Sequence, residues 1–170
     1  MSVAYLLLGS NQGERAAILQ KARERLQQLS VAPIGVSSLY ESEPWGFEAE
    51  TWFINQAVKI DTDLKPHDLL MKILEIEKSL GRVRENGGER IAGYSSRTID
   101  IDILFYEDIV NDTVDLQLPH PRMHLRRFVL LPLSEIAPGL IHPVLNVSIK
   151  KLLEECKDKS KINSNGVFCK

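Results

Sequence analysis

The sequence predicts an α+β fold in which helices pack on an antiparallel sheet. Three observations lead there. Short apolar or alternating runs, of the kind that form strands, recur at residues 3–8, 34–40, 53–60 and 98–106. Between the first and second runs, and again between the third and fourth, apolar residues recur at helical spacing. The chain also contains no internal repeat, low-complexity tract or linker.

The elements follow in order. Residues 3–8 form a buried strand that ends in a turn at Gly9-Ser10-Asn11. Leu19, Ala22, Leu26 and Leu29 mark one face of a first helix, and Pro33 ends that region. Residues 34–40 alternate as a strand. Residues 53–60 alternate too, with Ile54, Val58 and Ile60 on one face and Phe53, Asn55 and Ala57 on the other. The second helix opens at Pro66, has Asp68 in its first turn and stops at Gly81. Its inward face carries Leu70, Ile73, Leu74 and Leu80, and Glu77 falls among them, where a carboxylate needs a partner. Residues 82–97 form a long loop rich in glycine and arginine, and residues 98–106 a strictly alternating strand. A short strand near 114–118, a helix near 125–135 disturbed by Pro132, and a last helix from Ser148 complete the chain. The order β-α-β-β-α-β is that of a ferredoxin-like core. Residues 1–157 are expected to form one domain and 158–170 a polar, frayed tail.

Composition narrows the functional classes. The chain has 170 residues, is 44% hydrophobic and 26% charged, and lacks any run of 18 apolar residues. Neither a membrane span nor a signal peptide is expected, and the location predicted is cytoplasmic. Cys156 and Cys169 match no metal spacing and are expected to be reduced bystanders. A net charge of −2 does not favour nucleic acid. Charge is unevenly distributed, however. Residues 41–50 hold four glutamates and no base, whereas Arg82, Arg84, Arg90 and Arg97, and then His120, Arg122, His124, Arg126 and Arg127, form two basic segments. Planar guanidinium groups suit phosphate oxygens.

The segment Thr98-Ile99-Asp100-Ile101-Asp102-Ile103 carries the most chemistry. Alternation sets the three isoleucines on one face and Asp100 and Asp102 on the other, about 6.5–7 Å apart along the strand. An isolated D-x-D of this kind more often just meets solvent. Here Arg97 lies three residues before Asp100, so metal ions and arginines would converge on one polyanion. Oxygen-only ligands point to magnesium. Neither a P-loop nor a G-x-G-x-x-G sequence is present, so side chains must hold the phosphates. A flat heterocycle could lie between Phe53 and Phe128, with Asn55 at its edge.

Together these residues resemble a known family, the 6-hydroxymethyl-7,8-dihydropterin pyrophosphokinases of folate biosynthesis. The resemblance is carried by Gly9-Ser10-Asn11, by Tyr40, Ser42 and Pro44 before Trp45-Gly46, and by Phe53-Ile54-Asn55. It continues through Glu77, Gly81-Arg82 and Arg84, Arg97-Thr98-Ile99-Asp100-Ile101-Asp102-Ile103, Pro119-His120-Pro121-Arg122-Met123, and Arg126-Arg127-Phe128-Val129-Leu130. It implies transfer of a diphosphoryl group from ATP to the pterin alcohol with release of AMP. By that resemblance Asp100 and Asp102 hold two Mg2+ ions, and Arg82 and Arg97 join them in catalysis. Glu77, Arg84, Tyr94, Arg97, Ile103, His120 and Arg126 would bind ATP, with Glu77 and Ile103 lining the adenosine site and the ribose as partner for Glu77. Ser42, Glu43, Trp45, Phe53, Asn55 and Phe128 would bind the pterin. The partners expected are ATP and pterin, without nucleic acid or membrane, and the chain a monomer or at most a weak homodimer. The loop departs from the family pattern: Gly93-Tyr94-Ser95-Ser96 precede Arg97, the loop is several residues longer, and Pro121 stands where some relatives have tyrosine.

Two other readings predict different structures. A ferredoxin-like RNA-binding module needs exposed aromatics on a basic sheet face. A two-magnesium phosphodiesterase or nuclease needs further carboxylates or histidines near the D-x-D pair.

Overall fold

The computed structural model describes residues 1–44, 51–82 and 97–164. Its elements are β1 (Ser2–Ser10), α1 (Arg15–Gln27), β2 (Gly35–Val36), β3 (Tyr40–Ser42), β4 (Phe53–Thr62), α2 (Pro66–Ser79) and β5 (Asp100–Tyr106). There follow β6 (Asn111–Asp112), β7 (Gln117–Leu118), a short 3-10 turn (Met123–Leu125), α3 (Arg127–Ile136), α4 (Ile149–Glu155) and β8 (Ile162–Ser164).

β1, apolar along most of its length, is an interior strand of the sheet. β1 pairs antiparallel with β4 along its whole length, Ser2 opposite Thr62 and Ser10 opposite Ile54. On its other side it pairs with β5, from Ala4 opposite Tyr106 to Gly9 opposite Asp100. The strand order β5-β1-β4-β3-β8, with β2 also on β4, contains the predicted ferredoxin-like arrangement. Helices α1 and α2 cover one face. Leu19, Ala22 and Leu26 of α1 and Leu69, Ile73 and Ile76 of α2 share a core with Leu6, Leu8, Ile54, Val58, Ile60, Ile101 and Ile103. The periodicity of α1 and the two faces predicted for β4 agree with the structure; the buried face of α2 is turned from the expected one, with Leu69 and Ile76 buried beside Ile73 and Glu77 while Leu70, Leu74 and Leu80 are only partly buried.

Four further details differ from the sequence reading. β1 continues through Gly9 and Ser10, which were expected in a turn. The run at residues 34–40 is broken. Between Val36 opposite Val58 and Tyr40 opposite Asn55 it holds one residue more than β4, and Ser37 Oγ accepts the Ala57 N–H at 3.0 Å where a regular ladder bond would stand. β5 does not alternate strictly, because Leu6 faces Ile103 and Tyr5 faces Phe105, so Leu104 bulges and the faces exchange beyond it. Finally, residues 158–164 are not frayed. β8 pairs with β3, and Asp158 accepts hydrogen bonds from Ser160 N and Oγ and, at 2.9 Å, from Arg127 N at the start of α3.

The second face of the sheet is also covered, which the sequence reading did not place. Val129, Leu130 and Leu133 of α3 and Ile149 and Leu152 of α4 pack on Leu7, Ala57, Leu104 and Phe105. Cys156, expected to be a reduced bystander, is free and buried with them. Where these helices lie, the face offers no surface for stacked bases, and its uncovered part carries Asp100 and Asp102, which argues against an RNA-binding module. Glu135 ties α3 to the sheet edge, its two oxygens each 3.0 Å from the Ser38 N–H, one of them accepting from Ser38 Oγ and the other from Tyr40 Oη at 2.8 Å. Burial, reinforced by that carboxylate, pushes the Tyr40 hydroxyl up to about 12. Among the described residues no helix is long and apolar enough to cross a membrane.

The contact between Asp158 and α3 is testable. Its carboxyl is held below the usual carboxylate range by bonds to Ser160 and to the Arg127 N–H, which outweigh its desolvation. Asp158→Ala is expected to cost about 1 kcal/mol, as for loss of a helix-capping acceptor. Because the folded-state value is the lower one, that cost is fully present above the ordinary pKa of about 4 and disappears as pH falls through the depressed value. Urea unfolding of both proteins between neutral and acid pH measures it. An unchanged midpoint at neutral pH would mean that the tail contributes nothing to α3.

Candidate active site

The site begins with a row of residues across four strands. Gly9 of β1 lies opposite Asp100 of β5 on one side and Asn55 of β4 on the other, and Asn55 lies opposite Tyr40 of β3. Residues that pair directly project to the same face. In the next rows Leu7 lies between Asp102 and Ala57, and Phe53 lies opposite Ser42. Asp100, Asp102, Asn55, Phe53 and Ser42 thus share the face that α3 and α4 partly cover. Two strand spacings place Asp100 and Asn55 about 10 Å apart.

Gly9 keeps the floor between them low. A Cβ built there would lie 3.4 Å from Asn55 Oδ1 and 3.8 Å from the Phe53 ring. Asn55 is buried and donates from Nδ2 to Ser42 Oγ at 2.8 Å, which fixes the plane of its amide. Asn11 holds the entry to β5: Arg97 N donates to Asn11 Oδ1 at 2.7 Å, and Asn11 N donates to Arg97 O at 3.1 Å. Gly9 and Asn11 were legible as a turn signal and as part of the family resemblance, without a role of their own, and the structure gives each a position in the site.

The charges are densest at β5. Arg82 Nη1 donates to Glu77 Oε1 and, at 2.5 Å, to Asp100 Oδ1. Arg97 Nη1 donates to Asp100 Oδ2. Glu77 is 1% exposed, and its Oε1 also accepts the Ile101 N–H at 2.8 Å, from the peptide between the two aspartates. The acid foreseen on the inward face of α2 is therefore stabilised by the protein itself, with no need of a ribose. Asp102 differs: among the described residues it makes no hydrogen bond or ion pair. Burial first, and then the charge of Asp100, push its carboxyl up to about 8 against the pull of Arg97 and Arg82.

Does this fit a cation? A half-buried acid raised by its neighbour's charge is the electrostatic pattern that a divalent ion relieves. Two carboxylates, with no nitrogen or sulfur donor, match a hard cation such as magnesium. Among the described residues no group of three His, Cys, Asp or Glu side chains could hold a metal. Substrate oxygens and water would complete the coordination, and a site of many carboxylates, as a nuclease would need, is not found there.

The other expected residues are dispersed around this centre. His120 follows the cis Leu118–Pro119 bond, and its N–H donates to Leu104 O at 2.9 Å, which holds it beside the bulge in β5. Arg126 is buried, with Cζ 5.9 Å from the centre of the Phe128 ring, and burial draws its guanidinium down to about 10. Phe128 is partly buried at the start of α3. Glu43 spends one carboxylate oxygen on the Lys161 N–H at 2.8 Å. Ile103 is buried on the helix-covered side of β5, away from the aspartates. Arg84, Tyr94 and Trp45, together with most of the long loop expected at residues 82–97, lie outside the described residues.

Comparison with known proteins agrees with this geometry. A profile of the 7,8-dihydro-6-hydroxymethylpterin-pyrophosphokinase (HPPK) family matches residues 5–138. The chain is 42% identical over 156 residues to the 2-amino-4-hydroxy-6-hydroxymethyldihydropteridine pyrophosphokinase of Aquifex aeolicus, covering 91% of this chain and 92% of that one. It is 41% identical over 153 residues to the folic acid synthesis protein FOL1 of Dictyostelium discoideum, where it spans 89% of its own length but 22% of the relative's. In a crystal structure of Plasmodium falciparum HPPK-DHPS with pteroate, the same fold recurs at a TM-score of 0.71 and 18% identity, over 91% of this chain and 42% of that one. With a family match across most of its length and an aspartate pair where the resemblance requires it, the chain belongs to the HPPK family, enzymes that transfer pyrophosphate to a hydroxymethyldihydropterin in folate synthesis.

Proposed function

We propose that this chain transfers the β,γ-diphosphoryl group of ATP to the hydroxymethyl oxygen of 6-hydroxymethyl-7,8-dihydropterin, releasing AMP, with two magnesium ions held by Asp100 and Asp102. The observation that supports this most is the row Asp100–Gly9–Asn55. It sets a cation-binding acid and a fixed amide on one face, about two strand spacings apart, over a floor with no side chain.

In this reading the pterin lies over Gly9 between Phe53 and Phe128. Asn55, its amide plane fixed by Ser42, donates to and accepts from the ring edge. Ser42, Glu43 and Trp45 border that slot. The hydroxymethyl arm then points along the row toward Asp100. Arg82, Arg84, Arg97, His120, Arg126 and Tyr94 contact the triphosphate, and Glu77 and Ile103 support the nucleotide side of β5. The alcohol oxygen bonds to the β-phosphorus as the bond from that phosphorus to the α,β-bridging oxygen breaks. AMP departs with the bridging oxygen, and the alcohol proton is lost to solvent. When bound, the magnesium ions supply charge neutralisation on the transferring group and a lower alcohol pKa. Among the described residues no side chain at the row has the position of a general base, so the protein contributes orientation and electrostatic stabilisation. Arg82 and Arg97, already at the aspartates, place positive charge where it develops on the phosphoryl oxygens.

Incubation with MgATP is expected to produce AMP only when the hydroxymethylpterin is added; ADP, or AMP without pterin, would sink the proposal. Asp102→Asn should lower kcat at least about 100-fold, comparable to loss of a transition-state electrostatic group, while circular dichroism stays that of the wild type. Near-normal turnover would remove the metal assignment. Phe128→Ala should raise the pterin KM roughly tenfold, the scale of one lost aromatic stack, and leave the ATP KM unchanged. Equal effects on both substrates would argue against a stacking role.

A further inference from the structure

The two aspartates differ in a way that the reaction above does not explain. Both oxygens of Asp100 are taken, Oδ1 by Arg82 and Oδ2 by Arg97, whereas Asp102 has no such contact among the described residues. The two arginine side chains are mostly buried, at 16% and 26% exposure, and the Asp100 side chain at 20%. Ion pairs this shielded are not screened away as exposed pairs are. A divalent ion that uses Asp100 must therefore compete with two guanidinium charges held against its oxygens.

We propose that Arg82 and Arg97 are built-in counter-ions of Asp100, occupying its oxygens in the ligand-free protein and yielding them only when a nucleotide's phosphates offer the arginines another anion. This rests on the assignment of Asp100 and Asp102 as metal ligands. It adds an order: the free protein resists a divalent ion alone, and ion and polyphosphate bind cooperatively. The construction of the site supports the exchange. Arg82 Nη1 is shared between Glu77 and Asp100, so on leaving Asp100 it keeps one partner. Glu77 is itself fixed to the Ile101 N–H and remains in place as the anchor. Arg97 is fixed through its backbone to Asn11, so only its side chain has to swing. The polyphosphate gains two guanidinium groups at the moment when Asp100 needs a new cation, and each binding event lowers the cost of the other.

Mn2+ binding to the full chain, followed by electron paramagnetic resonance without nucleotide, tests this. Arg82→Met is expected to bind Mn2+ alone at least about tenfold more tightly than wild type, the scale of one charge-assisted hydrogen bond removed from competition; Arg97→Met should act in the same direction. Adding Asp100→Asn to either variant should abolish the gain. A non-hydrolysable α,β-methylene ATP should strengthen Mn2+ binding in wild type, and by a smaller factor in the arginine variants. Should Arg82→Met unfold because Glu77 is left buried and charged, the double variant Glu77→Gln/Arg82→Met removes both charges and carries the same expectation. Unchanged or weaker Mn2+ affinity in folded arginine variants, with nucleotide-dependent binding at Asp100 retained, would overturn the counter-ion role alone. Absence of Mn2+ binding in every protein, with or without nucleotide, would overturn the metal assignment itself and this inference with it.

Discussion

The register of three strands, β5-β1-β4, is the constraint on which the site depends. Side chains alternate with a period of two, so a slip of one residue between β1 and β5 would turn Asp100 and Asp102 into the core under α2 and bring Ile101 and Ile103 to the surface. Several features oppose that slip. Leu6 and Leu8 are fully buried against the helices, Leu7 is buried against α3 and α4, and the bulge at Leu104 breaks the symmetry of the ladder. Asn11 adds a polar lock at the end, holding the Arg97 backbone from both its N–H and its carbonyl.

Covering both faces of the sheet gives that register its chemical use. Helices α1 and α2 bury one side, and α3 and α4 bury the part of the other side around Leu7, Ala57 and Phe105. The remainder of that second face, from Gly9 outward, carries the polar groups. Arg126 and Phe128 stand at the start of α3, the helix that packs on this face. Two carboxylates hold α3: its own Glu135 accepts from Ser38 and Tyr40, and Asp158 of the C-terminal segment accepts from the Arg127 N–H.

Three acids and two arginines meet at β5: Glu77, Asp100 and Asp102 with Arg82 and Arg97. Buried ion pairs of this kind add little to stability, because desolvation offsets most of their attraction. Their value is electrostatic preparation. The excess acid is concentrated at Asp102, where burial and the charge of Asp100 disfavour the ionised form; under the proposed function a cation would relieve that strain and the arginines would meet the nucleotide's phosphates.

How much of this was legible beforehand depends on whether the information is local. Alternation along one strand sufficed to place Asp100 and Asp102 together, and Phe53 with Asn55. Helical spacing gave α1 and α2 and exposed Glu77 as an acid in need of a partner. Each of these follows from the period of a single element, which the order of residues alone determines. What spans elements was left to the tertiary structure. That Gly9 lies between Asp100 and Asn55, that Glu77 is satisfied by Arg82 and the Ile101 peptide, and that the tail returns as β8 all depend on hydrogen-bond register and packing between distant segments. No local periodicity encodes those pairings, because they are selected by the burial of both sheet faces at once.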